Sequence, residues 1–313
     1  MNLACLHTHS TFCDGKDDID SLCRSAIDQG LTILGFSAHA PLPRGSGLKS
    51  NWHLDPDHMD AYVEAVLQAK ATYQGNLHIL LGLEIDYIPG LCGPQDHRFD
   101  SYPLDYRIGS VHYLYDFTVD GPVEEWEQGV YRYFGGDYEA AALAYWERLA
   151  AMVTEGGFDI LGHMDLVKKN HSAWWHGGTS EAYRAAAFSV LSAIETNPVL
   201  IEVNTGGLNR GTVEELYPSR ELLTEMCKRG LPLTINADAH STRHLTGNYD
   251  RAVRELKAVG YTHIFNLYKE DALRDDVLRK AMQIDSGPEQ QLTIKPVFAQ
   301  FLHRTGWVAE ALD

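Results

Sequence analysis

The sequence predicts a single-domain α/β protein, a TIM-like β/α barrel, and three observations predict it. Short apolar runs alternate with amphipathic stretches some seven or eight times along the 313 residues, the pattern of a parallel sheet that closure turns into a barrel. Six of those runs end in a residue able to ligate a metal, and in a barrel all carboxyl ends of the strands meet at one mouth. No GxGxxG follows the first strand, which argues against an open nucleotide-binding sheet.

Taken in order, Leu3-Ala4-Cys5-Leu6 leads into His7-Thr8-His9-Ser10. Strand alternation puts His7 and His9 on one face, before a turn at Asp14-Gly15. A helix over 17–29 stops at Gly30. The second strand ends at His39. A Pro/Gly-rich loop over 40–51 then leads to a helix over about 57–71, opened by Asp55-Pro56. The third strand, 78–84, ends at Glu84, and the fourth, 106–111, delivers His112. Between 112 and 137 lies an aromatic, acidic excursion, read equally as a substrate-covering loop or as a packed hairpin. A helix over 138–155 closes at Gly156-Gly157 before the strand ending at His163, and 168–178 forms a second mouth-side loop. Helix 180–196, strand 199–204, loop 205–211, helix 218–229 and strand 232–237 follow, the last delivering Asp238-Ala239-His240. A helix over 250–259 and an apolar run over 263–267 complete a barrel spanning 1–270, and 271–313 reads as a helical extension packed on it.

Composition narrows the function. With 26 basic and 43 acidic residues the net charge is −17, a surface that repels nucleic acid and anionic lipid. Five cysteines, odd in number and without CxxC spacing, fit free thiols in a reducing compartment. No basic leader precedes an apolar stretch, and no run approaches the roughly 18 apolar residues of a membrane span. The expectation is a soluble cytoplasmic protein with neither nucleic acid nor membrane as a partner; the oligomeric state is not readable.

The motifs His7-Thr8-His9 with Asp14-Gly15, Phe36-Ser37-Ala38-His39, Gly82-Leu83-Glu84, Gly109-Ser110-Val111-His112, Gly162-His163-Met164-Asp165 and Asp238-Ala239-His240 resemble, in matching order, the polymerase-and-histidinol-phosphatase (PHP) superfamily. The Gly-Ser-Val-His-Tyr and Gly-His-Met-Asp-Leu-Val-Lys-Lys segments look like its histidinol-phosphatase branch. The resemblance implies a distorted TIM-like (β/α)7 barrel with two to three divalent metals (Zn, Mn or Fe) at its mouth. By motif, His7, His9, Glu84 and Asp238 would surround one ion, Glu84, His112 and His163 a second, and Asp14, His39 and His240 a third. Imidazoles suit these metals, and a carboxylate can bridge two of them.

The implied reaction is metal-assisted hydrolysis of a phosphate monoester, most readily L-histidinol phosphate in histidine biosynthesis. Glu84, Asp238 and His240 are the catalytic candidates, with the proton for the leaving alkoxide left open between Asp238, His240 and a water on the metals. Arg210, Lys168 and His39 are the candidates for phosphate contact. Two departures from the branch pattern, Ala38 for Asp and Gly206 for Ser, touch substrate contacts near His39 and Arg210. Asp165 reads as a residue orienting a ligand. The other nine histidines, His53 among them, lack a place at a strand's carboxyl end and read as surface or packed residues, and Cys13 reads as a bystander. The alternatives are another phosphate ester or nucleotide as substrate, an amidohydrolase, for which the metal-bridging Lys is missing, and a non-enzymatic metal-binding module.

Overall fold

Apolar runs buried on both faces pair as parallel strands at the centre of the molecule, and the computed structural model describes them within residues 3–48, 50–170, 180–268 and 306–312. Seven strands form one sheet: β1 (Leu3–Cys5), β2 (Leu31–His39), β3 (His78–Asp86), β4 (Tyr106–Ser110), then β7 (Ile160–Leu161), β8 (Leu200–Asn204) and β9 (Leu233–Asn236). All six neighbouring pairs are parallel. Past the last formal strand residues, the His9 amide donates to the Ala239 carbonyl at 2.9 Å and the Ala239 amide to the His7 carbonyl at 3.0 Å. These bonds join the first strand to the last, so the expected seven-stranded barrel closes at its carboxyl-end mouth.

Helices α1 (Ile19–Asp28), α2 (Met59–Thr72), α3 (Val123–Phe134), α4 (Tyr138–Glu155), α5 (Glu181–Thr196), α6 (Gly206–Arg210), α7 (Arg220–Arg229) and α8 (Tyr249–Val259) complete the element order. Asp18, Asp137 and Ser180 start α1, α4 and α5 by accepting a backbone N–H in the first turn. No helix among the described residues is long and apolar enough to cross a membrane.

The amino end of the barrel is shut. The apolar run over 263–267 becomes β10 (His263–Leu267), which pairs antiparallel with β11 (Trp307–Ala311). Phe265, Leu267, Trp307 and Val308 of this ribbon pack in one cluster with barrel residues such as Leu6, Ile33, Leu80 and Ile108. Tyr106 fills the interior above them and donates its hydroxyl to the Leu6 carbonyl at 2.5 Å. A Cβ at Gly35 would lie 2.3 Å from that hydroxyl, and one at Gly82 2.5 Å from the ring, so both positions require glycine for the ring's close approach. The helical extension expected over 271–313 falls largely outside the described residues; its described end is a strand.

The excursion after His112 contains the packed hairpin of one of its two readings. β5 (Tyr113–Leu114) and β6 (Phe117–Thr118) form a hairpin, and Trp126 of α3 is buried beneath it. Its outer edge, at Thr118, Asp120 and Gly121, reaches the barrel mouth.

Candidate metal centre

Alternation along the first strand turns His7 and His9 to the same side, where both are fully buried. Glu84, at the end of β3, meets them: its Oε2 lies 3.1 Å from His7 Nε2 and 3.6 Å from His9 Nε2. Asp238 comes from the turn after β9 with a left-handed φ of 48°, unusual for a side chain that is not glycine. Its Oδ1 lies 3.3 Å from His9 Nε2 and 3.7 Å from His7 Nε2. The other oxygen of Glu84 faces the opposite way, 2.9 Å from His163 Nε2 and 3.5 Å from His112 Nε2, and those two nitrogens are 3.2 Å apart. Asp14 lies within 3.7 Å of His9, His39 and His240. His9 thus also borders the third group, and His39 Nδ1, 2.9 Å from Glu84 Oε2, also borders the second. All nine residues named as ligand candidates come together.

Glu202 and Asp86, absent from the sequence reading, hold these groups together with Ser110 and His53. Glu202, in the middle of β8 and fully buried, contacts His7 Nδ1 at 2.7 Å, so His7 presents Nε2 to the centre. It also accepts from the His163 amide and from the side chains of Asn204 and Asn236. Asp86 pairs with His112 Nδ1 at 2.9 Å and, through its other oxygen, with His53 Nε2 at 2.9 Å. Ser110 donates to Glu84 Oε1 at 2.7 Å. His53, read as packed or surface, is therefore a support of the centre, brought there by the loop over 40–51 and its continuation. Replacing Asp86 by Asn is expected to weaken metal binding about 10- to 100-fold while the thermal midpoint stays near wild type. Equilibrium dialysis checks this, and unchanged affinity contradicts it.

A cavity of about 270 Å3 opens over the cluster. Arg210, from α6, lines it, donating to Asp238 Oδ2 at 2.9 Å and to the Asp238 carbonyl at 3.0 Å. A Cβ at Gly206 would sit 3.0 Å from Arg210 Nη2 and 2.9 Å from Asn204 Oδ1, so glycine there gives the guanidinium room. Lys168 does not line the cavity. Its ammonium is committed to Asp165 at 2.9 Å, Glu215 at 3.0 Å and the Leu216 carbonyl at 2.6 Å. The short 3-10 turn there aims the next residue, Lys169, at the cavity instead. Asp165, expected to orient a ligand, anchors Lys168 and accepts from the Ser219 amide.

Comparison with known proteins identifies the family of this barrel. The model of the PHP domain matches residues 6–206, a span that holds seven of the nine clustered residues and excludes Asp238 and His240. The chain belongs to the PHP family. A "Probable histidinol-phosphatase" of Deinococcus radiodurans is 30% identical over 81% of this PHP chain and 92% of its own length. The histidinol-phosphatase of Bacillus subtilis is 27% identical over 75% and 92% respectively. Among solved structures, the histidinol phosphate phosphatase of Lactococcus lactis, determined with zinc, L-histidinol and phosphate, superposes with a TM-score of 0.59 at 22% identity. It covers 84% of this chain and 95% of its own, and at that identity the likeness is one of fold.

In this PHP barrel, buried polar atoms without a hydrogen-bond partner converge on the same place: His7 Nε2, His9 Nε2, His39 Nδ1, Asp14 Oδ1 and Glu84 Oε2. Buried polar atoms are normally satisfied, and imidazole nitrogens facing carboxylate oxygens are the donor set of zinc, iron or manganese. The residues therefore fit divalent metals. Burial, then the neighbouring His240 and His39, push His9 down to about 3, leaving its ring neutral and ready to ligate. Burial opposes charge on Glu84, but His7, His39 and His112 outweigh it and hold the carboxyl well below its usual range. Burial likewise opposes charge on His112, yet Asp86 and Glu84 overcome it and push this ring up to about 10. A ligating ring must give up that proton, so loading metal at neutral pH is expected to release protons, with apparent affinity rising as pH rises towards that value. Calorimetric titrations in two buffers of different ionisation enthalpy read the release directly; buffer-independent heat contradicts it. Of the two departures from the branch pattern, Ala38 is buried in the apolar layer shared with Tyr62 and Val63 of α2, while Gly206 shapes the cavity through Arg210.

Proposed function

We propose that this protein is a histidinol-phosphatase, hydrolysing L-histidinol phosphate to L-histidinol and phosphate with two to three bound Zn, Mn or Fe ions. The observation that carries the reading is the convergence of nine ligand-type side chains at the mouth of a PHP barrel, six of them lining one cavity together with a guanidinium. The names of the curated relatives support the substrate. In this reading His7, His9, Glu84 and Asp238 hold one ion, Glu84, His112 and His163 a second, and Asp14, His39 and His240 a third. When bound, the ions supply positive charge for the phosphoryl oxygens and make water a nucleophile at neutral pH.

The rest falls to the protein's own groups. Arg210 keeps its charge at all working pH values, and its fork suits the oxygens of a phosphate. Its pairing with Asp238 fixes the guanidinium at the cavity wall before the ester arrives, so little ordering is left to be done on binding. Lys169 adds a second cation from the far side. Glu84, shared between two of the three groups, holds their imidazoles in one register, and Asp238 and His240 are the protein groups nearest Arg210 that can carry a proton.

The experiment is a panel of phosphate esters given to the purified, metal-loaded protein. L-histidinol phosphate is expected to show the highest kcat/KM, above sugar phosphates and nucleotides; a higher value for any of those moves the protein to another substrate, and no turnover of any ester refutes phosphatase activity.

A further inference from the structure

The cavity holds a negative charge that the ligand cluster does not use. Three carboxylates line it. Asp14 and Asp238 each face imidazoles at 3.1–3.7 Å, whereas Asp120 comes from the far wall, just beyond β6. The Asp120 carboxylate sits 3.6 Å from Lys169 Nζ, too far for a hydrogen bond, while that ammonium donates instead to the Asp120 backbone carbonyl. The side chain is 30% exposed, so it is open to whatever fills the cavity. Its position is fixed: Asn170 donates to the carbonyls of Val119 and Gly121 at 3.2 and 3.0 Å, clasping the backbone on either side. Its charge is felt by both Arg210 and His112, which places it within electrostatic reach of the seat of a phosphate.

A carboxylate whose neighbouring ammonium stands off at 3.6 Å, beside a dianion site, repels phosphate and weakens binding of any ester that brings only negative charge. The same carboxylate becomes favourable when the ester carries its own cation on the carbon skeleton. Resting on the phosphatase reading above, we propose that Asp120 is a specificity-determining residue that takes the ammonium of an amino-alkyl phosphate. It draws in esters with a positive charge a few bonds from the phosphoryl group and turns away those without one. Lys169 then serves the phosphate rather than neutralising Asp120.

The test compares L-histidinol phosphate with its deamino analogue, the imidazolyl-propyl phosphate, on the metal-loaded enzyme. Wild type is expected to favour the amine by about tenfold or more in kcat/KM, the worth of a charged hydrogen bond. Asp120→Asn is expected to collapse that ratio towards unity, with the loss falling on KM, and Asp120→Glu to keep part of it. Lys169→Met is expected to lower both esters together. A wild type indifferent to the amine overturns the proposal without recourse to any variant. So does an Asp120→Asn enzyme that loses both activities in proportion, or a Lys169→Met enzyme that alone collapses the ratio, since either would make Asp120 a mere support for Lys169. Absence of turnover with either ester overturns the phosphatase reading, and this inference with it.

Discussion

Glu84→Ala is expected to lower kcat by about a thousandfold or more and to cost the protein most of its bound metal. The size follows from how much one carboxylate does. Oε1 faces His163 at 2.9 Å and His112 at 3.5 Å; Oε2 faces His39 at 2.9 Å, His7 at 3.1 Å and His9 at 3.6 Å. Without it, five imidazoles crowd together with no negative charge between them, so bringing divalent ions there adds repulsion instead of relieving it. Glu84→Gln keeps the shape and the bond from Ser110, and is expected to be nearly as inactive, because charge rather than hydrogen bonding is what couples the groups. His97→Ala, on an exposed side chain in the connection between β3 and β4, is expected to leave turnover and metal content unchanged. Metal analysis and steady-state kinetics on the three variants check this; wild-type turnover in Glu84→Ala would sink the site assignment.

The second large effect is on stability. Glu202→Ala removes a fully buried acceptor and strands four donors: the His7 ring, the His163 amide and the amides of Asn204 and Asn236. Breaking a buried charged network of this kind costs about 3–5 kcal/mol, which would show as a lower denaturant midpoint with an unchanged slope. Glu202→Gln is expected to lose less, since its carbonyl can still accept, though its NH2 meets donors where an oxygen stood. The sign with pH is also defined. Burial opposes charge on Glu202, but His7, helped by His163 and Asn204, holds its carboxyl below the usual range. Its contribution is therefore full at neutral pH and fades on acidification from about 4.5 downward through the lowered value. A Glu202→Ala midpoint equal to wild type at pH 7 would contradict the role.

What was legible in the sequence and what was not divide on physical grounds. A parallel barrel delivers the residue at each strand's carboxyl end to one mouth, so apolar runs ending in His7, His9, His39, Glu84, His112, His163 and Asp238 announced their meeting without any knowledge of distances. The supports are less visible because they obey no end rule. Glu202 sits inside β8, where the one hint was a lone charge within an otherwise apolar strand, Leu200-Ile201-Glu202-Val203. Asp86 lies two residues past Glu84, on the same strand face by alternation, and could have been found that way. His53 arrives from a loop, whose path no periodicity encodes. Lys168 and Lys169 are adjacent cations, and only the 3-10 turn decides which one faces the cavity. The amino-end plug was unreadable for a different reason: β10 finds its partner more than 40 residues along the chain, at β11, and long-range antiparallel pairing leaves no local signature.

The most direct measurement is phosphate release from L-histidinol phosphate by the same preparation in three states: as purified, after exhaustive chelation, and after stepwise return of zinc or manganese. The prediction is that chelation abolishes release and that two to three equivalents of metal per chain restore it. Full turnover by the chelated protein, or no release after metal has been returned and its binding verified, would contradict a metal-dependent phosphatase built on these nine side chains.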